Sequence, residues 1–536
     1  MKFKFLNKFT VLWLTVLLLG FAFVLGACDT EGRKYTGEWD PSGQETVKNY
    51  QSGPDALNWG SSSQANVATL GLTPGNDTTE IYLNWYSSGA QAGKVTQVRF
   101  IRGTLTEGVE LIEETGTISA AGAYTAHKAA VTGIRPGSSY QYAVSSDGNN
   151  WSTACDFKVP SSNGAFRFAM VADAQVTIGA IDPDSRYPAV GGTTAQSWKE
   201  TMQKIVDYGD VSFIASVGDQ VDAPTGIETE YTIFFDPPGL RNLPYTPVAG
   251  NHDRHLLYNY HFNWPNPQEW QNETDIEKGR NYFYLYNNIL FVVLNTAPTP
   301  ASASAAQLYI QRYDFTLNAA KASHSGKYDW LIVQHHKSTA SVADHLADRD
   351  LQYYVEAGFE KLMSEHKVDF VFAGHDHVYA RSYPLSGRDG GKVSVPDKTK
   401  GGNNISSPGD PIYITLTTAG GGKYYAVSSD TAFDYQNTLY VKNNTSYPYL
   451  GDVTNASGDS STFFGSIAYM NNKLLPVSNA VYVQPYIPSY TIVDVEGKTI
   501  TFKTFTIATL SGRSPGASAT YSFNADEPYD SFTVTK

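Results

Sequence analysis

The segment Val211-Ser212-Phe213-Ile214-Ala215-Ser216-Val217-Gly218-Asp219-Gln220-Val221-Asp222 decides how the chain is read. Residues 211 to 217 are mostly apolar, as suits a strand buried on both faces, and Gly-Asp then turns the chain at the strand's carboxyl end. The same grammar recurs on either side. Phe166 to Ala172 runs into Asp173-Ala174-Gln175, and Tyr245 to Ala249 into Gly250-Asn251-His252-Asp253. Asp329 to Gln334 runs into His335-His336, and Asp369 to Ala373 into Gly374-His375-Asp376-His377. Ile289 to Leu294 reads as a further strand, and Trp198, Met202, Ile205 and Val206 mark one face of a helix. Apolar strands alternating with helices predict an α/β domain, in which ligands gather beyond the carboxyl ends of the strands.

Taken singly, each polar strand end has a plain explanation. Asp and Asn cap helices, which is the better reading of Asp173 alone, and a glycine before a polar residue often marks only a turn. Five such clusters in succession are not explained that way. Carboxylate, amide and imidazole together suit Zn, Mn or Fe. A pair of such ions about 4 Å apart can hold both oxygens of an in-line displacement and activate water. Two divalent ions and two aspartates sum to a charge of about +2, enough to draw a phosphate ester into the pocket of an acidic protein.

In this order the clusters resemble the calcineurin-like metallophosphoesterase superfamily, whose pattern is Asp-x-His, Gly-Asp-x-x-Asp, Gly-Asn-His-Asp/Glu, His, Gly-His-x-His, and within it the purple acid phosphatase branch. The resemblance spans residues 165–510 and implies a four-layer αββα sandwich, α/β (α+β) in class. It implies two divalent or trivalent transition metal ions, Fe, Mn or Zn. Asp173, Gln175 and His377 would serve the first, Asp219 would bridge, and Asn251, His335 and His375 would serve the second. His252 would act as general acid with Asp222 orienting it, and His345 would face the substrate. Tyr379 and Arg381 match the family's Tyr-x-Arg. The chain departs from the pattern at three places. Asp222 stands where purple acid phosphatases have the tyrosine that gives their colour, so a colourless protein is expected. Gln175 replaces a histidine of the wider superfamily, and an amide oxygen is the weaker ligand. Lys337 replaces a common proline and reads as a surface lysine.

Ahead of this domain, residues 61–160 carry short alternating segments such as Thr79 to Tyr86 and Val95 to Ile101, the signature of an all-β sandwich. Val131-Thr132-Gly133-Ile134-Arg135-Pro136-Gly137-Ser138-Ser139-Tyr140-Gln141-Tyr142 resembles the corner of a fibronectin type III-like domain. Residues 424–487, rich in Tyr, Asn and Ser, read as an insertion in the phosphoesterase domain, and 511–536 as a C-terminal segment ending in a strand near Ser531 to Val534.

At the other end, Lys2, Lys4 and Lys8 precede an apolar run from Phe9 to Ala27, and Leu25-Gly26-Ala27-Cys28 resembles a bacterial lipobox. Residues 1–27 are then a lipoprotein signal peptide, Cys28 is lipidated, and the polar stretch 28–60 is a flexible linker. An uncleaved membrane anchor is the other reading, and both place the body of the protein outside the cytoplasm, in the bacterial cell envelope. Cys155 is the second of only 2 cysteines, so stability does not rest on disulfides. With 39 Lys and Arg against 52 Asp and Glu, the net charge of −13 leaves no basic footprint for nucleic acid.

The expected activity is hydrolysis of a small-molecule phosphate ester, monoester or diester, by attack of metal-bound hydroxide, with the membrane reached through the lipid on Cys28. The competing expectation is a catalytically inactive binding or adhesion lipoprotein on a phosphoesterase scaffold.

Overall fold

The computed structural model of the 536-residue chain describes residues 67–88, 97–102, 108–109, 116–120, 124–145, 152, 155–160, 165–178, 193–343, 345, 348–387, 397–425, 440–442, 445–446, 479–513 and 520–536. The signal peptide, Cys28, the linker and most of the insertion expected at 424–487 lie outside the described residues. Among the described residues, no helix is long and apolar enough to cross a membrane.

Residues 68–158 form two antiparallel sheets. One has the order Ala68–Pro74, Glu80–Ser88, Tyr124–Thr132, Gly116–Ala120, and the other Gly108–Val109, Gln97–Arg102, Ser139–Ser145, Cys155–Lys158. Alternate residues, among them Leu70, Leu72, Ile81, Leu83, Trp85, Tyr140, Tyr142 and Val144, meet in a shared core. The Tyr140 hydroxyl accepts the Arg135 N–H at 2.7 Å, and Gly137 turns at φ 76° between them. This is the tyrosine corner of a β-sandwich.

The larger body is an αββα sandwich. Its first sheet runs Tyr245–Thr246, Val211–Ser216, Phe166–Val171, Ser489–Glu496, Thr499–Thr506, Asp530–Thr535, Asn404–Ser406. The second has nine strands and includes, side by side, Tyr282–Tyr286, Ile289–Val293, Trp330–Lys337, Phe370–Gly374 and Ile412–Thr415. Period-two alternation divides the second sheet's side chains. Trp330, Ile332, Phe370, Phe372 and Ile412 pack inward against Phe168, Phe213, Ile492 and Phe502 of the first sheet. Leu331, Val333, Val371 and Tyr413 pack outward on Ile310, Tyr313 and Leu317 of the helix Ala303–Ser323 and on Phe359 and Met363. On the far face of the first sheet lies the helix Thr194–Tyr208, capped by the Thr193 side chain, with Trp198, Met202 and Ile205 buried.

The last strand, Asp530–Thr535, pairs with Thr499–Thr506 and Asn404–Ser406, so the sandwich continues past residue 510 to the end of the chain. Asp530 also takes the Arg381 guanidinium at 2.8 and 3.2 Å and the Tyr379 hydroxyl at 2.7 Å, all fully buried. The Tyr-x-Arg motif is thus a structural clamp on the C-terminal strand.

The two bodies meet through directed bonds. Tyr142 donates its hydroxyl to the Arg241 carbonyl at 2.6 Å, and the Asn263 amide spans the carbonyls of Leu83 and Ala129 at 3.1 and 3.0 Å. His261 is stacked between Tyr86 and Tyr231, with ring centroids 4.2 and 4.3 Å away, and its Nε2 lies 2.7 Å from Glu228.

Candidate metal centre

Beyond the ends of Phe166–Val171 and Val211–Ser216, the ladder between the two strands continues through loops. Asp173 N–H donates to the Gly218 carbonyl at 3.0 Å and Gln175 N–H to the Asp219 carbonyl at 2.9 Å. This brings both acidic residues to one spot. The backbone there is left-handed at Asp173 (φ 48°), Gln175 (36°), Asp219 (53°), His375 (71°) and His377 (45°), conformations that side-chain-bearing residues adopt only when the surroundings enforce them. Glycine makes the approach possible: a Cβ on Gly250 would lie 1.9 Å from Asp219 Oδ1, and one on Gly374 would lie 2.3 Å from Asp173 Oδ2.

Ligand atoms of Asp219, His336 and His375 all lie within 4.8 Å of one another, and all three residues are buried. His336 Nε2 is 3.2 Å from Asp219 Oδ2 and 2.9 Å from Asn251 Oδ1. Asp173 receives the His375 backbone N–H at 3.1 and 3.0 Å, and its Oδ1 lies 3.3 Å from His377 Nε2. Gln175 Nε2 reaches Asp219 Oδ2 at 3.0 Å, while its Oε1 is buried with no hydrogen-bond partner. Burial opposes the charge on Asp219, but the imidazoles of His336 and His252 outweigh it and hold the carboxyl well below its usual range. Burial likewise lowers His336, yet Asp219 lifts it to about 9.

His335, expected as a ligand, is not part of this cluster. It shares the outward parity of Leu331 and Val333, and its ring lies 4.8 Å from Phe359 with neither nitrogen hydrogen-bonded. The next residue, His336, shares the inward parity of Trp330 and Ile332 and reaches Asp219. Sequence reading ended the strand at Gln334; the strand in fact runs Trp330–Lys337, and its alternation carries the information that selects His336.

His252 lies above the cluster, with its backbone N–H on Asp219 Oδ1 at 2.9 Å and its Nε2 3.9 Å from Asp219 Oδ2. Its Nδ1 is bonded to the backbone carbonyl of Asp222. The Asp222 carboxylate, expected to orient the ring, is 3.8 Å from Nδ1 and instead takes the Lys423 ammonium at 3.0 Å. His345 is brought to the site, stacked on His375 at 4.0 Å with its Nδ1 2.8 Å from Asp348 Oδ2. Lys337 is buried rather than exposed, and its ammonium is bonded to Asp350 and to the Pro298 carbonyl at 3.3 Å. Sequence reading missed Lys423, whose carbonyl accepts from His377 Nδ1 at 2.8 Å, and Tyr425, whose ring meets those of His345 and His377 at 4.7 and 5.1 Å.

The donor set fits a pair of cations. Gln175 and His336 both approach Asp219 Oδ2, Asn251 meets His336, and Asp173 lies against His375 and His377. The Val217 and Lys423 carbonyls take Nδ1 of His336 and His377, which leaves each Nε2 turned to the carboxylates, as metal-ligating histidines are commonly held. The unpartnered Gln175 Oε1 adds a buried lone pair that a cation would satisfy.

Residues 166–379, which contain every one of these donors, match the calcineurin-like phosphoesterase family. Over that span the chain is similar to a calcineurin-like phosphoesterase domain. Ahead of it, residues 68–159 match the purple acid phosphatase N-terminal domain. A purple acid phosphatase from yellow lupin (Lupinus luteus) seeds shares the fold, with a TM-score of 0.57 and 16% identity over 88% of this chain and 74% of that one. Two uncharacterized proteins from strains of Mycobacterium tuberculosis are each 24% identical over 350 residues, 60% of this chain. The matched region spans 63% of the length of those relatives. A phosphoenolpyruvate phosphatase of Allium cepa is 33% identical over 104 residues, 18% of each chain.

Proposed function

We propose that the phosphoesterase domain is a two-metal phosphoric ester hydrolase acting outside the cytoplasm. The observation that supports this most is the convergence of Asp173, Gln175, Asp219, Asn251, His336, His375 and His377 from five strand ends into one linked buried cluster around Asp219 and Asp173. Bound there, Fe, Mn or Zn ions would polarise the phosphoryl group and lower the pKa of water.

The chain's own groups do the rest. A backbone carbonyl can only accept, so the Asp222 carbonyl requires a proton on His252 Nδ1. The second ring nitrogen, Nε2, then points over Asp219 and is free to carry the proton that a leaving oxygen needs. His345, stacked on His375 and bonded to Asp348, faces the same space and is suited to hold a phosphoryl oxygen. The signal peptide and Cys28 supply export and a lipid anchor in this reading.

The test is metal analysis of the purified chain followed by turnover of a panel of monoesters and diesters, phosphoenolpyruvate among them. Metal uptake near two ions per chain and metal-dependent hydrolysis are expected. A chain that binds no transition metal and turns over no ester with Mn, Zn or Fe supplied would be a binding lipoprotein instead.

A further inference from the structure

Lys423 touches both halves of the site. Its backbone carbonyl accepts from Nδ1 of His377, and its ammonium donates to Asp222 Oδ1 at 3.0 Å. Asp222 in turn presents its own backbone carbonyl to Nδ1 of His252. A short chain of contacts therefore runs from a candidate metal ligand, through one lysine, to the ring placed to donate a proton.

We propose that Lys423 is a positioning residue for proton donation by His252. Two acceptors compete for a single ring nitrogen. His252 Nδ1 has two acceptors in reach on the same residue: the Asp222 carbonyl, to which it is bonded, and the Asp222 carboxylate, whose Oδ1 is 3.8 Å away. Lys423 occupies that same Oδ1, so the carboxylate is held off the ring and the carbonyl remains the acceptor. The loop carrying Asp222 is anchored on its other side, where Asp222 N–H donates to the Val176 carbonyl at 3.1 Å. Without the ammonium, the carboxylate becomes a charged and stronger acceptor for Nδ1. The ring would swing toward it and carry Nε2 away from its place above Asp219.

Lys423 is itself well fixed. Gln484 Nε2 bonds both the His377 carbonyl, at 2.9 Å, and the Tyr425 carbonyl. The Tyr425 ring rests edge-on against His345. The pair with Asp222 is only partly exposed, 25% and 32% for the two side chains, so solvent does not fully screen it.

This inference rests on the hydrolase reading, and the experiment separates the two. The full-length chain and its Lys423→Met, Lys423→Arg and Asp222→Asn variants are loaded with the same metal, and kcat and KM are measured on a simple alkyl phosphate and on 4-nitrophenyl phosphate. An alkoxide leaving group needs a proton in the transition state, and a nitrophenolate hardly does. Lys423→Met is expected to lose roughly tenfold in kcat on the alkyl ester and no more than about twofold on the aryl ester, with KM nearly constant on both. Lys423→Arg should recover most of the loss, and Asp222→Asn, which also removes the competing charge, should fall less than Lys423→Met. Metal content should stay at the wild-type level, because the carbonyl that serves His377 is retained. Equal losses on the two esters, a rise in KM alone, a fall in metal content, or no loss at all would each overturn the role of Lys423. Absence of turnover in the wild-type chain would overturn the hydrolase reading, and Lys423's role with it.

Discussion

His335 and His336 are chain neighbours whose environments have nothing in common, because successive side chains of a strand leave on opposite faces. His336 reaches Asp219 and Asn251, while His335 lies among apolar groups beside Phe359 with both nitrogens unbonded. Replacing His336 by Ala should cost bound metal and nearly all activity. His335→Leu should leave metal content unchanged and, by removing a buried polar ring that makes no hydrogen bond, leave the melting temperature level or higher. Elemental analysis and thermal unfolding of the two variants check this. Asp173, Asp219, Asn251, His375 and His377 were legible as chemistry-bearing residues because each follows directly on an apolar strand. The choice between two adjacent histidines was not legible without knowing where the strand ends, and the bond from His252 to a carbonyl rather than a carboxylate depends on loop geometry that sequence does not carry.

At the level of the elements, the strand ends come together because glycine removes the atoms that would keep them apart. Gly250 and Gly374 looked like ordinary turn residues in the sequence. Each instead lets a candidate ligand carboxylate sit where a Cβ would be, 1.9 Å from Asp219 Oδ1 and 2.3 Å from Asp173 Oδ2. Gly250→Ala and Gly374→Ala should therefore lower metal content and activity together while far-UV circular dichroism is preserved. Gly402→Ala, where the added carbon meets nothing within 4 Å, is the matched control and should behave as wild type. The alternation of apolar strands with helices was enough to predict an α/β domain, while the αββα layering was implied only by the resemblance of the strand-end motifs. The strand Asp530–Thr535 was visible as a strand, but its place inside the first sheet was not, since it is fixed by Arg381 and Tyr379 far back in the chain. Asp530→Ala strands a buried guanidinium and should destabilise the fold by about 3 to 5 kcal/mol, measured by denaturant unfolding.

On the scale of the whole molecule, buried histidines, one on the inner face of the front sandwich and others beside its boundary with the larger body, give stability a pH dependence. Burial lowers His127, stacked on Trp85, to about 4, and lowers His255, next to the aromatic boundary, to about 3. For such a group the folded state refuses a proton that the unfolded chain accepts. Its contribution is therefore fully present above the unfolded value near 6.5 and is lost as pH falls toward the folded value. For His127 alone the loss at pH 5 is about 2 kcal/mol. Unfolding free energies measured between pH 7 and 4.5 should fall more steeply in the wild-type chain than in His127→Gln. Parallel curves would show that His127 is not held neutral. The sequence announced two bodies through its change of periodicity near Pro160, but not this boundary, whose contacts join residues far apart in the chain, such as Lys128 and Asn259.

Five strand ends build one buried cluster around Asp219, the carboxylate proposed to bridge two metal ions. Anomalous diffraction from crystals of the metal-loaded chain, recorded at the absorption edge of the bound metal, tests it most directly. Two peaks about 4 Å apart are expected, with Asp219 between them, His377 on one, and His336 and His375 on the other. No peak at Asp219, or a metal held by His335, would contradict it.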